Sequence, residues 1–491
     1  MGSVEKKTAS LIKLFSKDSD YPVVRGSSIN RENSLASTRH QFPSLPDIGC
    51  EPMHISNEYE QALSCVKKGE RVVFVTGKAG TGKSTFIRFL RNTLGTDIPV
   101  VAPTGIAALN VGGQTIHSFF QLPPRLINPE DIRFLRNHRL FESLRILIID
   151  EISMVRADLM DAIDLSLRLN TGRSELPFGG VQVVLVGDLL QLPPVIATEP
   201  EMRYLYSKYR TSCFLSAECI QKHPPVVIEL TRVFRQQDER FVKLLSDIRI
   251  GNSLESTVSV INTCCLNQIN IADNGAITLT ADNASANRIN NRKLDLLQGE
   301  PVEFEGVISG RFNIEENRLP SPRILKIKAG ARVMFTKNDT NHRWVNGTSG
   351  TVVKCTESII TVQTSGGVFD VKRENWETLQ YVFNENSGKI VAETIGTYTQ
   401  FPLMLAWAIT IHKSQGKTLD SVFIDLGTGA FAEGQVYVAL SRCKTMDGIS
   451  LRRPLRISDV KIDAVIGEFY CSLAARTNEN GTGSSSQSIT K

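Results

Sequence analysis

The chain has 491 residues, 41% of them hydrophobic and 22% charged, with a formal net charge of +5. This balance excludes an intrinsically disordered chain, and the length allows two or three domains with cores of their own. No run of about 18 apolar residues is present, which argues against a membrane-spanning helix. The mild positive charge is compatible with nucleic acid without singling it out. The nine cysteines form no Cys-x-x-Cys pair, so neither a zinc site nor a disulfide framework is expected, and reduced thiols are the default.

In chain order, residues 1–48 are rich in Ser, Lys and Arg, lack an apolar core and are expected to be disordered rather than a secretory signal. The first chemical signal is RVVFVT at 71–76, a β-branched run followed at once by GKAGTGKST. Phe86, Leu90 and Leu94 then recur at a spacing of four, on one face of a helix. Strand, glycine loop and helix in this order match G-x-x-x-x-G-K-[ST], a phosphate cradle. Gly77, Gly80 and Gly82 let backbone N–H groups close on phosphate oxygens. Ala79, Thr81 and Thr85 complete the loop, Lys83 would reach the outer phosphates of ATP, and Ser84 would hold magnesium.

Two further apolar runs end in polar groups. RILIIDEIS, 145–153, ends in Asp150 and Glu151. Asp150 suits the magnesium ion and Glu151 the attacking water, although a helix cap explains such a pair equally well. VQVVLVG, 181–187, reads as a parallel strand buried on both faces and runs into GDLLQLPPV. Ligand-contacting groups gather at the carboxyl ends of such strands, so Asp188 and Gln191 are expected beside the γ-phosphate. ITLTADN (277–283), WAITIHKS (407–414) and SVFIDLG (421–427) supply strand-like runs for a second lobe that has no phosphate loop of its own. Between about residues 311 and 391 several short strands and an Asn346-Gly347 turn indicate a β subdomain.

LPFGGVQVVLVGDLLQLPPV, from Leu176 to Val195, resembles the signature of the petite-integration-frequency (PIF) DNA helicases of superfamily 1B. VAPTGIAALNVGGQTIHSFF, ELTRVFRQQDERF, LTADNASANRIN, WAITIHKSQGKTLD and QVYVALSRC are similar to that family's other motifs and follow its order, over roughly residues 55–450. The resemblance implies an α/β fold of two RecA-like motor domains, at 49–225 and at 226–310 with 392–475. It also implies a wedge insertion at about 121–144, an SH3-like barrel at 311–391, and a disordered tail at 476–491. A plain surface excursion at 121–144 is the alternative from the residues alone.

The implied activity is ATP-dependent, magnesium-assisted travel 5′ to 3′ on single-stranded DNA, with unwinding of tailed duplex or structured DNA. Lys83, Asp150, Glu151, Gln191, Arg235 and Arg442 would carry the chemistry, the two arginines stabilising charge on the γ-phosphate. Gln415 and Gly416 would face the nucleotide. Gln61, in ISNEYEQAL, stands where the family reads adenine with a Glu-Gln pair, but Tyr59 interrupts the pattern here. Thr104, His117, Phe119, His412, Lys413 and Ser414 would contact DNA. The expected working form is a monomer, or a dimer on DNA, acting away from membranes in the cytoplasm or nucleoid (nuclear or mitochondrial in a eukaryote). A P-loop ATPase used as a binding switch is the competing reading, and a RecD-like or relaxase-type helicase the nearer one.

Overall fold

The computed structural model describes residues 55–482, apart from 96, 197, 267–274 and 313. The N-terminal segment 1–48 lies outside the described residues. The first sheet contains β1 (Val72–Gly77), β2 (Val100–Ala102), β3 (Gln114–Thr115), β4 (Ile146–Ile149), β5 (Gln182–Val186) and β6 (Val226–Leu230), in the order β3-β2-β4-β5-β1-β6. Every pairing in it is parallel.

Its central strands are apolar without alternation because both faces are covered. From β1, Val72 and Phe74 enter one core with Leu147, Ile149, Val183 and Leu185. Val73 and Val75 enter the opposite core with Ile148, Val184 and Val186. The helix Asn57–Lys68 buries Tyr59, Ala62 and Val66, and the helix Lys83–Leu94 buries Phe86, Ile87 and Leu90, against the second of these cores.

β7 (Ile277–Thr280) opens a second parallel sheet, but a long antiparallel region follows before that sheet is completed. This region comprises β8 (Val302–Glu305), β9 (Val307–Gly310), β10 (Ile324–Ile327), β11 (Arg332–Phe335), β12 (Ser349–Cys355), β13 (Ile360–Thr364), β14 (Gly367–Val371), β15 (Glu374–Asn384), β16 (Lys389–Gln400) and β17 (Leu403–Leu405). Five of these form a sheet in the order β14-β13-β12-β11-β17, and three form another in the order β15-β16-β9. Antiparallel pairing thus extends beyond residues 311–391 at both ends, because β9 pairs with β16 and β17 with β11.

β18 (Ala408–Thr410), β19 (Val422–Asp425) and β20 (Ile449–Leu451) complete the second sheet in the order β18-β7-β19-β20, again all parallel. The three runs expected as strands are strands, but WAITIHKS is shorter in that state than it reads. It turns at Thr410, whose hydroxyl accepts from Lys413 N–H, into the helix Ile411–Ser414.

The segment 121–144 is no loose excursion. Ile127, Ile132, Leu135, Leu140 and Phe141 are buried in the first core, beside Tyr381 and Ile390 of the β15–β16 hairpin. The helix Ala464–Thr482 continues into the stretch expected as a disordered tail, and 483–491 lie outside the described residues. Among the described residues no helix is long and apolar enough to cross a membrane.

Candidate nucleotide site between the two parallel sheets

The glycine loop leaves β1 at the middle of the first sheet and enters the helix Lys83–Leu94. Gly82 takes φ +87 there, and a Cβ at this position would sit 2.6 Å from the Tyr59 hydroxyl, which donates to Gly82 O at 2.7 Å. Both the backbone conformation and the close approach therefore demand glycine. Lys83 Nζ donates to Gly77 O at 2.8 Å and to Lys78 O at 3.1 Å, folded over the cradle that phosphate oxygens would fill. Burial pushes its amine pKa down, while Asp188 and Glu151 pull it up. Thr81 is buried and donates to Lys78 O, Ser84 is exposed at the helix start, and Thr85 accepts from Arg88.

Asp150 and Glu151 follow β4, and Glu151 takes φ +49, a sparsely populated conformation for a residue with a side chain. Burial, with the Glu151 charge beside it, raises the Asp150 carboxyl to about 7. A buried carboxylate with a half-buried one beside it favours a cation, and hydroxyl and carboxylate oxygens such as those of Ser84 and Asp150 suit magnesium. Gln415 Nε2 donates to Glu151 Oε2 at 3.0 Å and to Gln191 Oε1 at 3.4 Å, joining the strand ends of the first sheet to the second. Gly416 follows at φ +76, exposed.

Asp188 lies near enough to Lys83 for their charges to act on each other, and it is buried and ion-paired with Arg249 of the helix Glu239–Ile250, at 3.0 Å, which anchors the end of β5 to that helix. Gln191 Nε2 donates to Asp188 Oδ2 at 3.2 Å. The Tyr437 hydroxyl accepts from Ala79 N–H at 2.8 Å and donates to Asp188 Oδ2 at 3.5 Å. Tyr470 holds Thr76 Oγ1 at 2.6 Å and carries Arg249 over its ring at 4.6 Å. Arg249, Tyr437 and Tyr470 escaped the sequence reading. Tyr437 lies inside the motif QVYVALSRC, of which only Arg442 carries an expected role.

Arg235 packs its Cβ on Gly80 and donates to Thr418 Oγ1 at 3.0 Å and Ser441 O at 3.2 Å. Arg442 is 1% exposed and spends its donors on Val438 O, Ser414 O, Lys417 O and Ser441 Oγ. Burial and the neighbouring Arg235 lower it to about 9. Both guanidiniums thus meet backbone and hydroxyl oxygens, and among the described residues neither is ion-paired with a carboxylate.

Gln61 is exposed on the helix Asn57–Lys68, whose inward face carries Tyr59, Ala62 and Val66. The residue of this helix that reaches the glycine loop is Tyr59. Thr104 caps the helix Gly105–Asn110, accepting from Ala107 N–H at 3.2 Å, and His117 is half-buried. Phe119 is buried among Phe120, Phe141 and Tyr381, so it is a core residue with no face for a base. Ser414 is likewise buried, its hydroxyl donating to Ile411 O at 2.7 Å. His412 and Lys413 are half-buried beside it.

A family model described as PIF1-like helicase matches residues 55–258. The ATP-dependent DNA helicase Pif1 of Bdellovibrio bacteriovorus is 37% identical over 417 residues, covering 82% of this chain and 89% of that protein. The chain spans 60–64% of the length of the vertebrate relatives it matches. Among solved structures, a Bacteroides sp Pif1 in complex with ADP-AlF4 superposes with a TM-score of 0.79 at 37% identity, covering 86% of this chain and 98% of the other. Bacteroides Pif1 bound to single-stranded DNA has the same identity and coverage but a TM-score of 0.61. Similarity over nearly the whole length of the bacterial relative, with the phosphate loop and both later strand ends in place, makes this chain a member of the PIF1-like helicase family.

Proposed function

We propose that the chain is an ATP-dependent DNA helicase that moves 5′ to 3′ on single-stranded DNA and opens tailed or structured duplexes. The observation that carries this reading is the pair of hydrogen bonds from Gln415 to Glu151 and Gln191, which link the ends of β4 and β5 to the helix after β18. A nucleotide held there would be sensed by both parallel sheets at once.

In this reading the sheets are the cores of two RecA-like motor domains. The five-stranded antiparallel sheet is an SH3-like insertion, and residues 121–144 form a wedge. ATP phosphates displace the Lys83 amine from Gly77 O and Lys78 O, and the freed amine turns to the β- and γ-oxygens. Ser84 and Asp150 would hold magnesium, which when bound would neutralise phosphate charge. Glu151 takes the proton of the attacking water, and Gln191 and Gln415 orient that water against the γ-phosphate. Arg235 and Arg442 leave their backbone partners as the domains close and stabilise the charge of the loose transition state. Thr104, His117, His412 and Lys413 face the DNA backbone, whereas Phe119 and Ser414 shape the core beneath it. Closing and reopening around ATP then changes the grip of each domain on the strand in turn. A monomer suffices for stepping, and a pair on one fork is compatible with it.

The test is strand displacement on duplexes carrying a single 5′ or 3′ tail. Unwinding from the 5′ tail alone is expected, and unwinding from the 3′ tail alone would refute the polarity. DNA-stimulated ATP turnover without displacement on either substrate would favour the ATPase-switch reading.

A further inference from the structure

The loop between β19 and the helix Gln435–Leu440 is tightly held. Phe431 N–H donates to Gln435 Oε1 at 3.0 Å, Gly434 N–H to Lys461 O at 3.1 Å, and Lys461 Nζ to Phe431 O at 3.3 Å. Ala430 is buried. Gly434 takes φ +66 and lies so close to the carbonyls of Leu190 and Gln191 that a Cβ would collide with both.

From this fixed backbone Phe431 stands 59% exposed. Its ring is nearly parallel to that of His412, 15° between planes with centroids 6.3 Å apart. A phenyl ring on a rigid loop, turned to water and backed by a second flat ring, does not contribute to a core; it offers a free π face. Lys461, exposed, supplies a cation at its side.

We propose that Phe431, backed by His412, is a stacking platform for one base of single-stranded DNA, with Lys461 meeting an adjacent phosphate. The inference rests on the reading of the chain as a DNA motor and adds a base-binding position to it. Every base has a π face, so such a platform holds DNA without regard to sequence, as a translocating protein requires. Its place also connects it to the chemistry. His412 precedes Gln415 by three residues, and Gln415 donates to Glu151 and Gln191. Phe431 precedes Gly434 by three, and Gly434 abuts the Gln191 carbonyl. A base on the platform bears on two segments that end at the γ-phosphate side of the nucleotide site.

The experiment compares the full chain with Phe431→Ala, Phe431→Leu and Phe431→Trp. Binding to an oligothymidylate carrying one 2-aminopurine is measured by anisotropy and by quenching of the 2-aminopurine. ATP turnover is followed with and without DNA. Phe431→Ala and Phe431→Leu are expected to weaken DNA binding at least about fivefold. They should raise the DNA concentration for half-maximal ATPase stimulation by the same factor, with turnover in the absence of DNA and thermal midpoint unchanged. Phe431→Trp should bind within about twofold of the parent, its own fluorescence quenched on DNA addition. Parent-like binding by Phe431→Leu would overturn the platform, since apolar bulk without a π face would then suffice. So would loss of basal turnover or melting temperature in Phe431→Ala, which would make the ring structural. A parent chain that fails to bind single-stranded DNA would instead sink the helicase reading itself.

Discussion

Arg249 donates to Asp188 at 3.0 Å with both side chains buried, one from the helix Glu239–Ile250 and the other from the end of β5. Burial alone would raise the Asp188 carboxyl, but Arg249 and Lys83 hold it below the usual carboxylate range. A depressed folded-state value means that this stability is present above the unfolded value and is lost as pH falls through the folded one. Removing one partner of a buried pair costs about 3–5 kcal/mol. Arg249→Met is therefore expected to lower the thermal midpoint by several degrees at pH 7. Asp188→Asn with Arg249→Met should recover part of that loss. Differential scanning calorimetry checks both, and an unchanged midpoint in Arg249→Met would show that the pair contributes nothing.

Lys83 is the amine most exposed to replacement by phosphate, since its present partners are two carbonyls. Lys83→Ala should reduce ATP turnover to background while single-stranded DNA affinity stays within about threefold. Retained DNA-stimulated turnover would remove Lys83 from the chemistry.

Gln191 touches Asp188 on one side and Gln415 on the other. Gln191→Ala should leave the affinity for a non-hydrolysable ATP analogue within about threefold and cut DNA-stimulated kcat at least about tenfold. A rise in KM alone would assign it to binding rather than to coupling.

Tyr59 and Gln61 lie on different sides of one helix, and only Tyr59 reaches the glycine loop. Gln61→Ala should leave KM for ATP unchanged. Tyr59→Phe, which removes the bond to Gly82 O, should raise it a few-fold. A larger effect from Gln61→Ala would restore the adenine contact to Gln61.

Lys417 has its amine against the Asn346 side chain, at the turn between β11 and β12, and burial lowers it to about 8 from an ordinary 10.5. Below pH 8 the buried charge is carried and its cost is fully felt. Between pH 8 and about 10.5 the folded chain binds fewer protons than the unfolded one, so this residue makes stability rise with pH. Lys417→Met should raise the thermal midpoint at pH 7 by the equivalent of at most about 3 kcal/mol and flatten that rise. A midpoint that falls at pH 7 would mean that the amine's bond to Asn346 outweighs its burial.

What was legible in the sequence was local. The glycine loop, Asp150-Glu151 and Gln191 each follow a continuous apolar run. Such runs identify parallel strands buried on both faces, whose carboxyl ends converge whatever the rest of the chain does. Family membership was legible as well, because the ordered motifs are contiguous stretches. Tertiary structure alone decided which side chains face water: Phe119 and Ser414 turn inward and Gln61 outward, and no short motif records rotation about a helix or the cover provided by Tyr381, far away in the chain. It alone also brought Arg249, Tyr437 and Tyr470 to Asp188, over separations of 61 to 282 positions. A buried charge needs a partner wherever the chain can deliver one, and the fold rather than the spacing determines where that is.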